Sequence, residues 1–381
     1  MVRNFTPLLM VTLLFFGMGC AENAPHAPPQ TLGEHAVGYI TFSATDSQRE
    51  DRTLVIDVWY PADSQAAASA DLATYPLSAI FGMESEVALD AVAVDATQKL
   101  PLLVFSHGYG GINRQSLALM EALPSHGFIV AAPEHTGNAQ NSLTDSFDVA
   151  AGNRVPDLSF VIDTMLSRNL DSEDMFFGRI DENLVGALGH SFGGMTTLGS
   201  ACGWAQAPAD TRVKAIAPMS AVIDGERQEA ERNSPYAGFS SEQLGSITVP
   251  TMLVGGTEDI SVPIENNAIA FEQITQAPIL YKVDITGANH THFTNVCDIG
   301  DFLIETGFPK ENWANMGAED LIEPYERTCS ETSFPMSEFN RLLNLYVVSF
   351  FKLHLLEEAA YEDYLSGDFA DTETAIGFEL K

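Results

Sequence analysis

Basic residues are scarce in this sequence: 18 lysines and arginines stand against 52 aspartates and glutamates, and the formal net charge of the 381 residues is −34. Nucleic acids are bound through clustered cations that neutralise phosphates, so this shortage argues against a nucleic-acid partner. We interpret the acidic excess as favouring solubility in a salty or exterior environment, with recognition of a cationic ligand as the alternative. Apolar residues make up 45% of the chain, which suffices for a substantial core and excludes disorder of the whole chain.

Apolar runs long enough to span a membrane are also lacking at the start of the chain. The run from Pro7 to Phe16 follows one basic residue, Arg3, and ends in small residues. It is shorter than the ~20 residues that cross a bilayer, and a polar segment follows it. The pattern predicts an export signal over residues 1–19, with a membrane anchor as the alternative.

The end of this signal, GMGC, resembles a bacterial lipobox. In that case Cys20 would be acylated and would attach the protein to a membrane. A branched residue is usual where Gly17 stands, so ordinary cleavage and secretion remain open. Residues 20–34, rich in proline and alanine, predict a flexible linker that belongs to no core.

Cysteines are few, with four in the chain. Three cysteines remain besides Cys20. Export would bring them to an oxidising compartment, in which disulfides persist. Cys297 and Cys329 bracket an irregular stretch that would gain most from a crosslink, so we predict that they pair. Cys202 lies in an apolar segment and is predicted to be a buried free thiol.

Short apolar runs alternate with helical periodicity along the rest of the chain. Strands are predicted at residues 36–44, 52–60, 102–106, 127–133, 184–190, 214–219, 251–256 and 280–287, and helices at 115–123, 157–166, from 192, and at 339–356. This order predicts an α/β fold with a mostly parallel eight-stranded sheet and helices on both faces. Ligands on such sheets bind at the carboxyl ends of the strands. Residues 64–97 predict helices or an insertion of uncertain shape.

A GxSxG motif, Gly189-His190-Ser191-Phe192-Gly193, stands at one of these strand ends. Chance can produce the motif alone, but here an apolar strand leads in and a glycine-containing helix leads out. That context is typical of the nucleophile elbow of the α/β-hydrolase fold. It predicts that Ser191 is a nucleophile. The alternative is a serine without a catalytic role in a glycine-rich turn.

A serine nucleophile needs a histidine to take its proton and an acid to orient that histidine, in the chain order serine, acid, histidine. The strand at 251–256 runs into Glu258 and Asp259, and the next strand runs into His290 and His292. We favour Asp259 over Glu258 because of its spacing from the strand-end glycine and the following proline. We favour His290 over His292 because it stands three residues after a glycine.

The developing negative charge of an acyl-transfer intermediate needs two backbone N–H donors. Phe192, directly after the nucleophile, is predicted to supply one, and Tyr109, in the HGYGG turn after an earlier strand, the other. Glycines in that turn allow close approach of the backbone. His107 is predicted to brace the turn rather than to act as a second base.

With these residues placed, the chain resembles the platelet-activating-factor acetylhydrolase family and, more distantly, the cutinase and dienelactone hydrolase groups. SHGFIVAAPEH is the most specific stretch, and VFSHGYGG, GHSFGG, VWYP and GANHTHF are also similar. The resemblance covers roughly residues 36–356. It implies an esterase that releases short acyl groups, with no metal or organic cofactor.

Two departures from these families bear on the site. The animal acetylhydrolases place the acid after the sixth strand, where this chain has no carboxylate, whereas cutinase-like enzymes place it after the seventh, as Asp259 is placed. Tyr109 matches a tyrosine with which polyester hydrolases hold an aromatic ring. Their partner tryptophan is missing, and Ala221 or Val222 stands nearby.

These observations predict a carboxylesterase that acts on short-chain or acetyl esters, lipid acetyl esters among them, in residues 35–381. A polyester hydrolase or lipase is the first alternative, and a non-catalytic binding protein of the same fold is the second. Residues 224–246 lie where this fold often inserts a lid over the acyl pocket, although a solvated surface helix fits them equally well.

Overall fold

The computed structural model of the protein describes residues 27–77, 82–225 and 233–381. The predicted signal at 1–19 and the predicted acylation site Cys20 lie outside these ranges and stay predictions. Among the helices of the described ranges, none combines the length and the apolar character needed to cross a membrane.

Strands and helices alternate along the described chain. The strands are β1 (Val37–Asp46), β2 (Arg52–Pro61), β3 (Leu72–Pro76), β4 (Gly82–Asp90), β5 (Leu100–Ser106), β6 (Ile129–Glu134), β7 (Asn138–Ala139), β8 (Ser142–Leu143), β9 (Ile180–His190), β10 (Val213–Met219), β11 (Thr251–Gly256), β12 (Leu280–Ile285) and β13 (Ile376–Leu380). The helices are α1 (Ser64–Ala67), α2 (Leu117–Ser125), α3 (Phe147–Leu170), α4 (Phe192–Cys202), α5 (Ser241–Gly245), α6 (Glu265–Gln273), α7 (Val296–Glu305), α8 (Ile322–Thr328), α9 (Met336–Leu355) and α10 (Gly367–Ala370).

The main sheet has the strand order β13-β12-β11-β10-β9-β5-β6-β2-β1-β4-β3. The six strands from β12 to β6 run parallel, and β2 pairs antiparallel with both β6 and β1. The α/β prediction is confirmed, and all eight predicted strands are present. The predicted number of strands is wrong, because the sheet has 11 strands in the described ranges rather than eight. It is also a mixed sheet, with antiparallel pairs outside its parallel centre.

The three additional strands lie at the two edges of the sheet. β3 and β4 form an antiparallel pair beside β1, and β13 pairs antiparallel with β12. Edge strands have one unpaired side and partly exposed faces, so their sequences lack the continuous apolar run by which the central strands are recognised. β3 and β4 come from the stretch at 64–97 whose shape the sequence left open, and β13 follows the last predicted helix.

The core lies on both faces of the parallel strands. Side chains of β5, α2 and α9 pack together on one face, while α3, α4 and α6 cover the other. All seven residues of β5 are buried, as expected for a parallel strand between two helical layers. This burial on both sides fixes the strand ends, from which the turns at Ser191 and Asp259 project.

Helix α3 is much longer than its predicted range of 157–166. It begins after Ser146, whose side chain accepts a hydrogen bond from the Val149 N–H, and it continues to Leu170. Arg154 and Asp157 are buried polar residues of this helix. They interrupt the apolar periodicity, which is why the pattern covers only the second half of the helix.

The segments predicted as linker and as lid are described only in part. From the linker, the Gly33 N–H donates to Ser125 Oγ at 2.8 Å, so this end of the segment contacts α2. From the range 224–246, residues 226–232 are outside the described ranges. The remainder contains α5 and places Ala237 in the wall of the cavity beside Ser191.

The predicted disulfide between Cys297 and Cys329 is present, and Cys202 is a free thiol that is half-buried. The crosslink joins the start of α7 to the residue after α8. Thr328, next to Cys329, donates to Asn289 Oδ1 at 3.2 Å, in the turn before His290. The disulfide therefore braces the segment that packs against the His290 turn.

Candidate active site

The turn that carries Ser191 lies between β9 and α4. Ser191 has a φ of 58° and a ψ of −119°, a region that costs a non-glycine residue about 1–3 kcal/mol. Its N–H donates to the carbonyl oxygen of Met219, 2.9 Å away. A Cβ atom on Gly193 would lie 1.8 Å from the carbonyl oxygen of Ser106, and one on Gly189 would lie 2.5 Å from that of Gly193. Both flanking positions therefore require glycine, and the motif builds the strained elbow.

Ser191, His290 and Asp259 form a continuous hydrogen-bonded chain. His290 Nε2 lies 3.0 Å from Ser191 Oγ, and His290 Nδ1 lies 2.7 Å from Asp259 Oδ2. The His290 side chain is 18% exposed, whereas that of Asp259 is inaccessible. At these distances an imidazole can accept the hydroxyl proton while the carboxylate fixes the orientation of the ring.

The turn after β11 holds Asp259 in place. Its Oδ1 accepts hydrogen bonds from the backbone N–H groups of Ser261 at 2.9 Å and Val262 at 2.7 Å, which leaves Oδ2 for His290. Glu258, the alternative acid, is exposed to solvent. The structure thus brings Asp259, and not Glu258, into contact with the histidine.

His292, the alternative base, is buried and is engaged by the backbone at both ring nitrogens. Its Nδ1 accepts from the Asn289 N–H at 2.9 Å, and its Nε2 donates to the carbonyl oxygen of Phe334 at 2.9 Å. Burial lowers the pKa of His292, which keeps the ring neutral with one donor and one acceptor. These contacts shape the turn that presents His290.

Two backbone N–H groups border the nucleophile. The Phe192 N–H opens helix α4, and the Tyr109 N–H lies in the turn after β5. Within the described ranges neither donates a hydrogen bond to another protein group, so both are available to a ligand. The turn lies close to Ser191, since a Cβ atom on Gly108 would be 3.6 Å from Ser191 Cβ. Gly110 has a φ of 63°, which favours glycine at that position.

Two buried histidines support this turn. His190 Nδ1 lies 2.7 Å from Gln115 Nε2, and Gln115 Oε1 accepts from the Gly108 N–H at 2.9 Å. His107 Nδ1 donates to the carbonyl oxygen of Gly108 at 2.7 Å, and its Nε2 accepts from the His135 N–H at 3.1 Å. Burial lowers the pKa values of His107 and His190 well below the usual range, so both rings are neutral.

An apolar cavity of about 130 Å³ opens beside Ser191. Its lining consists of Tyr109, Phe147, Ser191, Phe192, Met195, Val222, Ala237, Ser261 and Val262. The Tyr109 ring is 44% exposed and stacks near Phe147, with ring centroids 6.2 Å apart and planes inclined by 22°. Pockets for drug-sized ligands measure about 300–1,000 Å³, so this cavity suits a short acyl group or one ring.

Sequence reasoning missed three residues around the site. Gln115 fell inside a predicted helix without a role, and Phe147 and Arg154 belong to the half of α3 that was not predicted. The available signal was Ser146 with Asp148 two residues later, which together mark a helix start.

No group of three or more histidine, cysteine, aspartate or glutamate side chains in the described ranges has the arrangement of a metal site. The candidate functional residues are those of the turns around Ser191.

A family profile described as PET hydrolase-like matches residues 91–305, more than half of the chain. The chain belongs to the PET hydrolase-like family. The range shared with this family contains Ser191, Asp259 and His290, and it also contains the turn with Tyr109.

Beyond the PET hydrolase-like profile, two curated relatives are similar over part of the chain. The cutinase est1 of Thermobifida alba is 28% identical over 169 residues, which is 44% of this chain and 46% of the cutinase. The platelet-activating factor acetylhydrolase of Cavia porcellus is 29% identical over 138 residues, 26% of this chain and 31% of that protein. The chain thus matches less than half the length of either relative. The predicted resemblance to both groups is confirmed.

Among solved structures, a ferulic acid esterase from Streptomyces cinnamoneus superposes with a TM-score of 0.66 at 23% identity. The match covers 92% of this chain and 98% of that protein. At this identity the likeness shows the fold that the PET hydrolase-like chain shares with the esterase.

Proposed function

We propose that the protein hydrolyses carboxylic esters through a triad of Ser191, His290 and Asp259. The observation that carries the proposal is the hydrogen-bonded chain of these residues, with contacts of 3.0 and 2.7 Å, at a strained strand-to-helix turn. Membership of the PET hydrolase-like family and similarity to a cutinase and an acetylhydrolase support ester hydrolysis as the reaction.

The mechanism follows from the positions of these groups. Ser191 Oγ attacks the ester carbonyl carbon while His290 Nε2 accepts the hydroxyl proton, and Asp259 stabilises the imidazolium that forms. The Phe192 and Tyr109 N–H groups stabilise the oxyanion of the tetrahedral intermediate. His290 then protonates the leaving alcohol, and an acyl-enzyme remains. Water attacks this ester with His290 as the base, which releases the acid and restores Ser191.

The cavity beside Ser191 supports short acyl groups as substrates, acetyl esters of lipids among them. Its volume of about 130 Å³ and apolar lining suit a few carbon atoms. Polyester hydrolysis is the second candidate, favoured by the exposed Tyr109 ring beside Phe147 and by the family to which the chain belongs. Both candidates use the same triad and differ in what the rim of the cavity binds.

We also propose that residues 35–381 form one catalytic domain that acts outside the cytoplasm. The Cys297–Cys329 disulfide supports this location, because such crosslinks persist in oxidising compartments. The signal at 1–19 agrees with it as a prediction from the sequence. Acylation at Cys20 would add membrane attachment, and free secretion remains the alternative.

A fluorophosphonate probe should label the protein at one residue, Ser191, and hydrolysis of p-nitrophenyl acetate should disappear in step with labelling. Peptide mass spectrometry locates the adduct. Ser191→Ala should take no label, whereas Ser200→Ala, a matched change of a buried serine on α4, the helix that follows Ser191, should label like the parent. Absence of labelling from the folded parent would favour a non-catalytic binding protein instead.

A panel of p-nitrophenyl esters should show the highest kcat/KM for acetate to butyrate and a fall of about tenfold or more by octanoate, because a longer chain exceeds the cavity. Steady-state kinetics measures the series. Phe147→Ala should shift the optimum to longer acyl groups by enlarging the cavity. A parent enzyme that prefers long chains, or that releases soluble acid from polyester film faster than it cleaves the short esters, would contradict the short-acyl proposal.

A further inference from the structure

Arg154 is a fully buried cation behind the turn after β5 that contains Gly108 and Tyr109. It projects from α3, and its hydrogen bonds within the described ranges go to uncharged oxygens. They are the carbonyl oxygens of His107 and Gly108, Ser106 Oγ and Asn138 Oδ1, with 2.9 Å to Gly108 and 3.1 Å to Ser106. A buried arginine is usually paired with a carboxylate, since an unpaired charge in the interior is costly. Arg154 therefore differs from most buried arginines in lacking a carboxylate among these hydrogen-bond partners.

The nearest acid on α3 does not provide that pairing. Asp157 contacts Arg49 at 2.7 Å, Arg52 at 2.8 Å and His135 at 2.9 Å. In the ranges that the structure describes, Arg154 makes no ion pair with Asp157 or with another carboxylate. Burial lowers the pKa of Arg154 to about 9, which leaves the guanidinium positively charged at neutral pH.

The hydrogen bond to Gly108 acts on the peptide unit that contains the Tyr109 N–H. The C=O and N–H of a trans peptide share one plane and point in opposite directions. Three donors hold the Gly108 oxygen: Arg154 at 2.9 Å, His107 Nδ1 at 2.7 Å and the Gly111 N–H at 3.2 Å. Fixing that oxygen fixes the direction of the Tyr109 N–H. Donation by a cation to the carbonyl also polarises the peptide and strengthens its N–H as a donor.

The same guanidinium contacts the second donor residue. Its carbon atom lies 4.8 Å from the centroid of the Phe192 ring, within cation–π range. Phe192 carries the other N–H that borders Ser191. One side chain therefore joins the two turns that would form the oxyanion hole.

We propose that Arg154 is a positioning residue for the oxyanion hole: it sets the plane of the Gly108–Tyr109 peptide, and its charge favours the transition state over the bound ester. The inference rests on the proposed ester hydrolysis. Because negative charge develops on the substrate oxygen only during the reaction, the loss of Arg154 should lower kcat and leave KM nearly unchanged.

Removal of one oxyanion donor costs about 10²–10³ in kcat, and a donor that is only misdirected should cost less. Arg154→Ala should therefore lower kcat for p-nitrophenyl acetate by about 10- to 100-fold. The value of kcat is calculated from the concentration of active sites, which is measured by complete titration with a fluorophosphonate. KM should change by less than about threefold. The affinity for a trifluoromethyl ketone, which forms an oxyanion adduct with serine, should fall by the same factor as kcat.

Chemical rescue separates positioning from general destabilisation. Millimolar guanidinium should restore part of the kcat of Arg154→Ala, whereas urea, which has a similar shape without the charge, should not. Arg154→Lys, which keeps the charge and one donor, should lie between the alanine variant and the parent. It also serves as the test if the alanine variant does not fold.

Arg168→Ala is the matched control. Arg168 lies on the same helix and also covers a phenyl ring, Phe42, at 4.2 Å, but it pairs with Asp174 away from the site. Its kcat per titrated site should equal that of the parent. A kcat of Arg154→Ala and Arg154→Lys within threefold of the parent, or rescue by urea as well as guanidinium, would overturn the inference. Full activity of Ser191→Ala would instead overturn the proposed function itself.

Discussion

Replacing His290 with alanine should lower kcat for p-nitrophenyl acetate by about 10⁶. In the proposed mechanism the Ser191 hydroxyl passes its proton to His290 Nε2, which lies 3.0 Å from Ser191 Oγ. Without it, both formation and hydrolysis of the acyl-enzyme lose their base. Steady-state kinetics on protein expressed without contaminating esterase measures the effect, and KM should stay within a few-fold.

His292→Ala is the matched control for this prediction. Among the residues that the structure describes, His292 hydrogen-bonds only to the backbone of Asn289 and Phe334. Its loss should therefore loosen the turn and cost at most about tenfold in kcat. A larger loss in His292→Ala than in His290→Ala would transfer the role of base to His292.

Asp259→Asn should lower kcat by about 10⁴ while the protein stays folded. The Ser261 and Val262 N–H groups both donate to one carboxylate oxygen, so asparagine will place its own oxygen there. Its amide NH₂ then faces His290 Nδ1 and imposes the tautomer that carries a proton on Nε2. That nitrogen can no longer accept the Ser191 proton. Kinetics, with thermal unfolding as a check on folding, measures the result.

The neighbouring acid provides the comparison. Glu258→Gln removes a carboxylate that is exposed to solvent, and kcat should stay within about threefold of the parent. If Glu258→Gln proves the more damaging change, the assignment of the acid moves to Glu258.

Sequence patterns could predict the parallel centre of the fold and the residues around Ser191 because both depend on local rules. A strand buried on both faces must be apolar throughout, as in β5, and an elbow needs glycine where a Cβ atom would collide, as at Gly193. Asp259 and His290 follow strand ends that share one edge of the sheet. Their contact was therefore expected from chain order, although their distances were not.

The features that sequence could not supply depend on contacts between distant segments. Arg154 lies 46 residues after the Gly108 oxygen that it binds, and nothing local distinguishes it from a surface arginine. Its presence on a buried face also obscured the first half of α3. β13 pairs with the open edge of β12, and three of its five residues are exposed, so its sequence has no continuous apolar run to predict it.

The Cys297–Cys329 crosslink makes the shape of the site depend on where the chain folds. It closes a 32-residue separation around α7 and α8, and Thr328 at its end contacts Asn289 beside His290. A chain that folds among reducing thiols lacks this tie, and the segment beside the histidine is then held by packing and hydrogen bonds alone. If the protein is exported as proposed, the oxidising compartment forms the disulfide that completes the support of His290, and the site reaches its final form only after export.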